Sequence, residues 1–372
     1  MFWNYAQPVS IRFGNGRIAE LGREINTLGG KTGILITSPS FEKRGFVQKI
    51  IADSNQLIKA VYSNVNPNPD ITECEDCIAL IRKHQCDFVV ALGGGSVLDC
   101  AKAAALMATA GLPVSAYMDD ASLLPAKGLP LIAVPTTAGT GSEISSVSVL
   151  SDHQKKVKKP LATPAFFPTL AIIDPELTLT VPRHTTACTG MDVLCHALEA
   201  FWSRQHQPIC DSFAINATRL VMQNLRTACD EPGNLTARER MAEASVLAGL
   251  AFTVPRTNCS HACSYPLTND LGIPHGEACA LTIDHFMRIN AKDDDGRIKM
   301  LANMLGYPSA FDLADAITQL KKDIGIMPDL KAFNLTDPQI ESLVQNSQNP
   351  ILKLNPVEIT PDMLRDMYSQ MR

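Results

Sequence analysis

Asp192 and His196 stand four residues apart within the segment Gly190 to Glu199. On a helix that spacing puts both side chains on one face, where they can share an ion. Two further imidazoles follow in Ser260-His261-Ala262-Cys263 and Ile273-Pro274-His275-Gly276. One carboxylate with three imidazoles is a nitrogen and oxygen donor set that suits divalent iron or zinc better than magnesium or calcium. Taken singly, each histidine also reads as a satisfied core or surface group. His84, His153, His184, His206 and His285 lack such partners in sequence and read as structural or solvated.

A second chemistry is written in glycines. The apolar run Phe88 to Leu92 leads into Gly93-Gly94-Gly95-Ser96, and Val97 to Lys102 then opens a helix. Glycines let backbone approach a ligand closely, and the helix start offers free N–H groups and a positive dipole end suited to a pyrophosphate. The run is not a G-x-G-x-x-G fingerprint, and alone it reads equally as a tight structural turn. A second such element follows Leu131 to Val134, as Pro135-Thr136-Thr137-Ala138-Gly139-Thr140-Gly141-Ser142-Glu143. In open α/β sheets ligands bind at the carboxyl ends of strands. Two strand ends of this kind point to one shared nucleotide.

These groups need a scaffold. Up to about residue 180, apolar β-rich runs (Gly33 to Thr37, Leu57 to Tyr62, Asp87 to Leu92, Leu129 to Val134) alternate with helical stretches such as Ile71 to His84 and Ser96 to Ala108. Near-continuous apolar strands separated by helices imply an α/β domain with a parallel sheet covered on both faces. Beyond Asp174-Pro175 the strand signal fades, and Thr189 to Phe201, Ser212 to Asn224, Ala237 to Phe252 and Leu313 to Ile324 have helical apolar spacing. The expected organisation is an α/β domain over 1–180 and an all-α domain over 181–372.

Composition excludes several function classes. With 33 Lys and Arg against 38 Asp and Glu, the net charge of −5 suits neither nucleic acid nor an anionic membrane as partner. No apolar stretch reaches the ~18 residues of a membrane span. The start Met1-Phe2-Trp3-Asn4-Tyr5 lacks the pattern of a secretory signal. Eleven scattered cysteines without such a signal read as reduced, buried thiols, and a cytoplasmic location is expected.

Taken together and in order, Gly93 to Ser96 with Asp99 and Lys102, Pro135 to Glu143, Asp174-Pro175-Glu176-Leu177, Gly190 to Glu199 and His261 to Gly276 resemble the iron-dependent (group III) alcohol dehydrogenase family. The resemblance runs from Phe13-Gly14-Asn15-Gly16 to about residue 290. It implies a Rossmann-like nicotinamide-dinucleotide domain followed by a helical domain holding a catalytic metal, Fe2+ or Zn2+, on Asp192, His196, His261 and His275. Gly94, Gly95 and Ser96 would meet the pyrophosphate, and Thr136, Thr137 and Thr140 the nicotinamide side. Asn68 and Lys158 match further cofactor-contacting positions. The metal would act as a Lewis acid on a carbonyl oxygen while hydride arrives from the reduced nicotinamide. Many members carry a histidine four residues after the third ligand; here Tyr265 stands there and is the candidate proton relay.

The family's NAD-using members often carry an acidic residue after the second strand to repel a 2′-phosphate. Ser38 occupies that position, and NAD(H) is favoured over NADP(H). Arg256 to Thr268, with Thr37 to Phe41 and Arg44-Gly45, resembles the branch that reduces phosphonoacetaldehyde and sulfoacetaldehyde. Arg256, Thr257, Asn258 and Ser264 are then the candidate contacts to the substrate anion. With one arginine in the segment, the monoanionic sulfonate is the first choice and isethionate the product. Phosphonoacetaldehyde, or a neutral alcohol or diol, is the alternative. A dehydroquinate synthase-like lyase is disfavoured because its metal set has a Glu with two His. An inert scaffold is disfavoured by retention of all four ligands. A homodimer or larger homo-oligomer is the family expectation.

Overall fold

The computed structural model describes residues 2–292 and 295–372. The apolar runs become the centre of a parallel sheet built from β1 (Ser10–Phe13), β2 (Gly33–Thr37), β3 (Ile58–Tyr62), β4 (Phe88–Gly93), β5 (Leu131–Pro135) and β8 (Leu170–Ile173). Their order is β1-β8-β5-β4-β2-β3, every pair parallel. β2, β4 and β5 are buried along their whole length, which is why they read as unbroken aliphatic runs. Two apolar layers cover the sheet. One contains Ile34, Val89, Ala91 and Leu98, the other Leu35, Phe88, Val90 and Ile132.

Not anticipated from sequence is an antiparallel hairpin, β6 (Val147–Asp152) with β7 (Val157–Ala162), whose register pairs Ser151 with Lys158. A buried polar cluster ties it to the Gly95–Met107 helix. Lys102 Nζ donates to Ser142 Oγ (2.8 Å), Ser145 Oγ (3.1 Å) and the Val147 carbonyl (2.8 Å). Asp99 accepts from Ser142 Oγ (2.6 Å) and the Val149 N–H (3.0 Å). Burying these charges costs free energy that the hydrogen bonds offset. In return the hairpin is fixed on the helix that starts at the glycine turn.

The chain divides into two compact units. One comprises residues 6–137 and 141–178, the other 1–5, 138–140 and 179–372. The second unit thus begins at Leu179 and also takes in two short segments from earlier in the chain, which a single boundary near 180 does not anticipate. It is helical, and its central element is Arg183–Trp202, buried at nearly every position from Thr186 onward. A helix enclosed on all sides must satisfy its polar groups internally. Asp192, His196 and Glu199 fall on one of its faces. Among the described residues no helix is long and apolar enough to cross a membrane.

Asp70 starts the Ile71–Lys83 helix. Its Oδ1 accepts from the Thr72 N–H (2.9 Å) and hydroxyl (2.7 Å), its Oδ2 from the His153 N–H (2.9 Å), and Glu73 completes a capping box. Burial pushes its carboxyl up, but the bonds from Thr72 and His153 outweigh that and hold it below the ordinary 3.8. Asp70→Ala should therefore cost about 1 kcal/mol in urea unfolding at neutral pH. Because the folded-state value is the lower one, this contribution is full above 3.8 and is lost as pH falls from there through the folded-state value. The difference between wild type and variant should shrink correspondingly in acid.

Candidate metal centre and dinucleotide-binding turn

The metal centre depends on a close helix contact. A Cβ on Gly276 would sit 2.1 Å from the Cys188 carbonyl oxygen and 3.2 Å from Asp192 Cβ, so only glycine lets the His275–Asn290 helix lie this close to Arg183–Trp202. Gly190 works similarly on another side, where a Cβ would meet Leu225 Cδ1 at 2.2 Å. Pressed together, the helices bring His275 Nε2 to 3.8 Å from Asp192 Oδ1. His261, on the Cys259–Leu271 helix, brings Nε2 to 3.5 Å from the same oxygen and 3.1 Å from His196 Nε2. His196 Nδ1 lies 3.9 Å from Asp192 Oδ1, and the Phe252 ring stacks on the His196 imidazole at 4.5 Å.

Two atoms show what is missing from this arrangement. Asp192 Oδ1 and His196 Nδ1 are buried with no hydrogen-bond partner among the described residues. A carboxylate oxygen facing three imidazoles across 3.5–3.9 Å is a place for a cation. The titration behaviour agrees. Burial pushes the Asp192 carboxyl up, but His196, His261 and His275 outweigh it and hold the group well below its ordinary value. Burial lowers His196 to about 4, leaving that imidazole neutral and able to ligate. Burial opposes charge on His261 and His275 too, yet Cys279 and the nearby carboxylates raise both.

The remaining imidazole nitrogens are held from behind. Glu199, fully buried, accepts from His261 Nδ1 through Oε2 (2.6 Å), from the Asn258 N–H (3.0 Å) and, through Oε1, from the Ser260 N–H (2.5 Å). It therefore closes the first turn of the Cys259–Leu271 helix and fixes His261 with Nε2 turned toward Asp192. Ser264 Oγ lies 3.3 Å from His275 Nδ1 and donates to the His261 carbonyl (2.7 Å). Cys279 Sγ comes within 3.8 Å of His275 Nε2 and forms a compact donor group with Asp192, His261 and His275. Burial raises the Cys279 thiol, but His261 and His275 reverse this and bring it to about 7.

In the other unit, register aligns the two turns. Gly93 pairs with Pro135 across β4 and β5, and the Thr136 N–H donates to the Gly93 carbonyl (3.0 Å). Gly94, before the Gly95–Met107 helix, leaves space that a Cβ would fill to within 3.3 Å of Thr137 Oγ1. Asn68 donates its N–H to Ser96 Oγ (3.1 Å) and accepts from Lys158 Nζ (2.8 Å). Ser38 follows β2, its Oγ 3.0 Å from Ser40 Oγ. Thr140 belongs to the short segment that goes with the helical unit.

Comparison with known proteins settles the family. Residues 8–175 match the model described as iron-containing alcohol dehydrogenase, and residues 186–371 match its companion, the C-terminal domain of the same family. The chain belongs to the iron-containing alcohol dehydrogenase family. This dehydrogenase is 36% identical over 350 residues to 1,3-propanediol dehydrogenase of Klebsiella pneumoniae, covering 90% of the chain and 89% of the relative. It is 33% identical over 364 residues to alcohol dehydrogenase 4 of Schizosaccharomyces pombe, covering 96% and 86%. Its fold superposes with a TM-score of 0.98 on the crystal structure of sulfoacetaldehyde reductase from Bifidobacterium kashiwanohense in complex with NAD+. That protein is 50% identical, with 100% of this chain and 99% of that one covered. The dehydrogenase is accordingly an oxidoreductase of the alcohol dehydrogenase and aldehyde reductase type.

Two expected substrate contacts are corrected. Asn258 is fully buried; its Oδ1 accepts from Trp202 Nε1 (2.9 Å) and the Cys259 N–H (2.9 Å), and its Nδ2 donates to the Glu199 carbonyl (3.0 Å). Ser264, also buried, is committed to His261 and His275. Both brace the segments that carry His261 and His275. Glu199 and Cys279 were missed as site residues. Their signals were available: Glu199 continues the Asp192, His196 face by one turn, and Cys279 lies four residues after His275.

Two variants test this geometry. Glu199→Gln should weaken divalent-metal affinity roughly 10- to 100-fold in a competition titration against a chromophoric chelator. Gly276→Ala should separate the two helices, lowering both the thermal midpoint and metal occupancy. An alanine variant with unchanged occupancy would mean the close contact is not what assembles the donors.

Proposed function

We propose that this dehydrogenase reduces sulfoacetaldehyde to isethionate with NADH. The observation that carries this reading is the 50% identity, over the whole chain, to a sulfoacetaldehyde reductase crystallised with NAD+. Asp192, His196, His261 and His275 would hold the ion, Fe2+ first and Zn2+ second, which supplies Lewis acidity toward a carbonyl oxygen while NADH supplies hydride. Gly94, Gly95, Ser96, Thr136, Thr137, Asn68 and Lys158 would grip the dinucleotide, with Thr140 on the nicotinamide side. Ser38, uncharged at the end of β2, gives a 2′-phosphate no cationic partner of its own.

The chain's own groups then have distinct tasks. Glu199 and Ser264 keep His261 and His275 oriented. Tyr265 lies one turn beyond His261, and burial pushes its phenol up, so its Oη keeps a proton at neutral pH to give to the product oxygen. Arg256 takes the sulfonate. It is exposed, has φ of +63°, and makes no ion pair among the described residues. Its N–H donates to the Phe252 carbonyl (2.9 Å), one turn from the ring that stacks on His196. Thr257 stands beside it.

NADH oxidation should be compared among sulfoacetaldehyde, phosphonoacetaldehyde, propanal and lactaldehyde. The reading expects kcat/KM for sulfoacetaldehyde to exceed the neutral aldehydes roughly 100-fold, with Arg256→Ala removing most of that advantage, about 2.7 kcal/mol. Equal rates with neutral aldehydes would return the enzyme to the general alcohol and diol class, and a phosphonate preference would identify the alternative anion. Tyr265→Phe should lower kcat roughly 100-fold or more while leaving metal affinity intact. A chelator that strips the ion should abolish turnover but leave NADH binding, read by nicotinamide fluorescence.

A further inference from the structure

One turn before Asp192 on the same helix, a second set of donors meets. His184 and Cys188 are four residues apart on Arg183–Trp202, and Glu277 reaches across from His275–Asn290. His184 Nε2 lies 3.5 Å from Cys188 Sγ and 3.4 Å from Glu277 Oε2, and the three donor atoms form one compact group. None of the three is among the ligands proposed above.

These separations have a specific meaning. Zinc bonds of 2.0–2.2 Å to nitrogen and oxygen and 2.3 Å to sulfur, at the tetrahedral angle, place N and S about 3.6 Å apart and N and O about 3.4 Å apart. The donors already stand at those distances. Glu277 is 4% exposed, and its other oxygen, Oε1, accepts the Met327 N–H (2.8 Å), which orients the carboxylate as outer hydrogen bonds orient metal ligands. Cys188 is buried at 5%, while the His184 side chain is 56% exposed and leaves one side open for entry and for a water as fourth ligand. An ion that binds Cys188 must displace the thiol proton. A thiophilic cation does this and Mg2+ or Ca2+ does not.

We propose that His184, Cys188 and Glu277 form a second metal site, selective for Zn2+, that clamps the helix carrying Asp192 and His196 to the helix carrying His275. The ion acts as a clamp: a second equivalent per chain stabilises the contact at Gly276 on which the first site depends.

The test starts from protein already carrying one equivalent of Zn2+ per chain and adds more by equilibrium dialysis, with bound metal counted by atomic absorption. A second equivalent should bind and raise the thermal midpoint, since a ligand held only by the folded state stabilises it. His184→Ala, a change at an exposed side chain outside the catalytic set, should lose that equivalent and the rise in midpoint while keeping the first. With Co2+ as the second ion, a thiolate-to-metal charge-transfer band should appear in the wild type and be missing from Cys188→Ser. Saturation at one equivalent would overturn the proposal and leave a plain imidazole–carboxylate pair beside a thiol. So would a second equivalent that survives His184→Ala, because the ion would then be sitting elsewhere on the surface. If Cys188→Ser fails to fold, the His184→Ala count decides alone.

Discussion

Everything in the helical unit is arranged around one buried carboxylate that protein alone does not satisfy. Asp192 is 3% exposed, and its Oδ1 accepts no hydrogen bond among the described residues. Leaving such a charge unpaired costs several kcal/mol. Glu199 and Ser264 hold the far nitrogens of His261 and His275, which keeps the near nitrogens of both turned toward it. The site is therefore polarised for a cation before one arrives. Its affinity is stored in the fold as unmet electrostatic demand.

That demand can be held only because the surrounding helices cannot relax away from it. Arg183–Trp202 is enclosed nearly all round: Gly190 admits the Leu225 side chain, and Gly276 lets the neighbouring helix reach the Cys188 backbone. Glu199 adds a second constraint by serving two masters: it closes the start of one helix and orients an imidazole on it. A carboxylate with both tasks makes the local fold and the ligand geometry one cooperative unit.

How much of this was legible follows from the range of each interaction. β2, β4 and β5 were readable because strands buried on both faces must be continuously apolar, and the i, i+4 pair of Asp192 and His196 was readable because helix periodicity is local. β1 was not: it is four residues long, half exposed, and carries Arg12. The hairpin Val147–Ala162 was hidden by four lysines and Pro160, which read as a polar loop, and it stands outside the six-stranded sheet. Pro266 broke the helical pattern of Cys259–Leu271. Asn258 looked like a free polar group because its partners, Trp202 and Glu199, are more than fifty residues away in sequence. Local spacing could nominate donors; only tertiary hydrogen bonding could say which polar groups were already spent.

The sheet order carries a consequence for synthesis. Ser10 of β1 pairs with Leu170 of β8, and β8 lies between β1 and the rest of the sheet. During synthesis β1 therefore has no sheet neighbour until β8 follows. At ribosomal speeds of about 5–20 residues per second that wait is on the order of ten seconds. β1 is a bare hydrogen-bonding edge throughout, and once β5 has followed, its open side is a second one until β8 arrives. The nascent chain must keep those edges apart from other chains through an interval far longer than collapse takes.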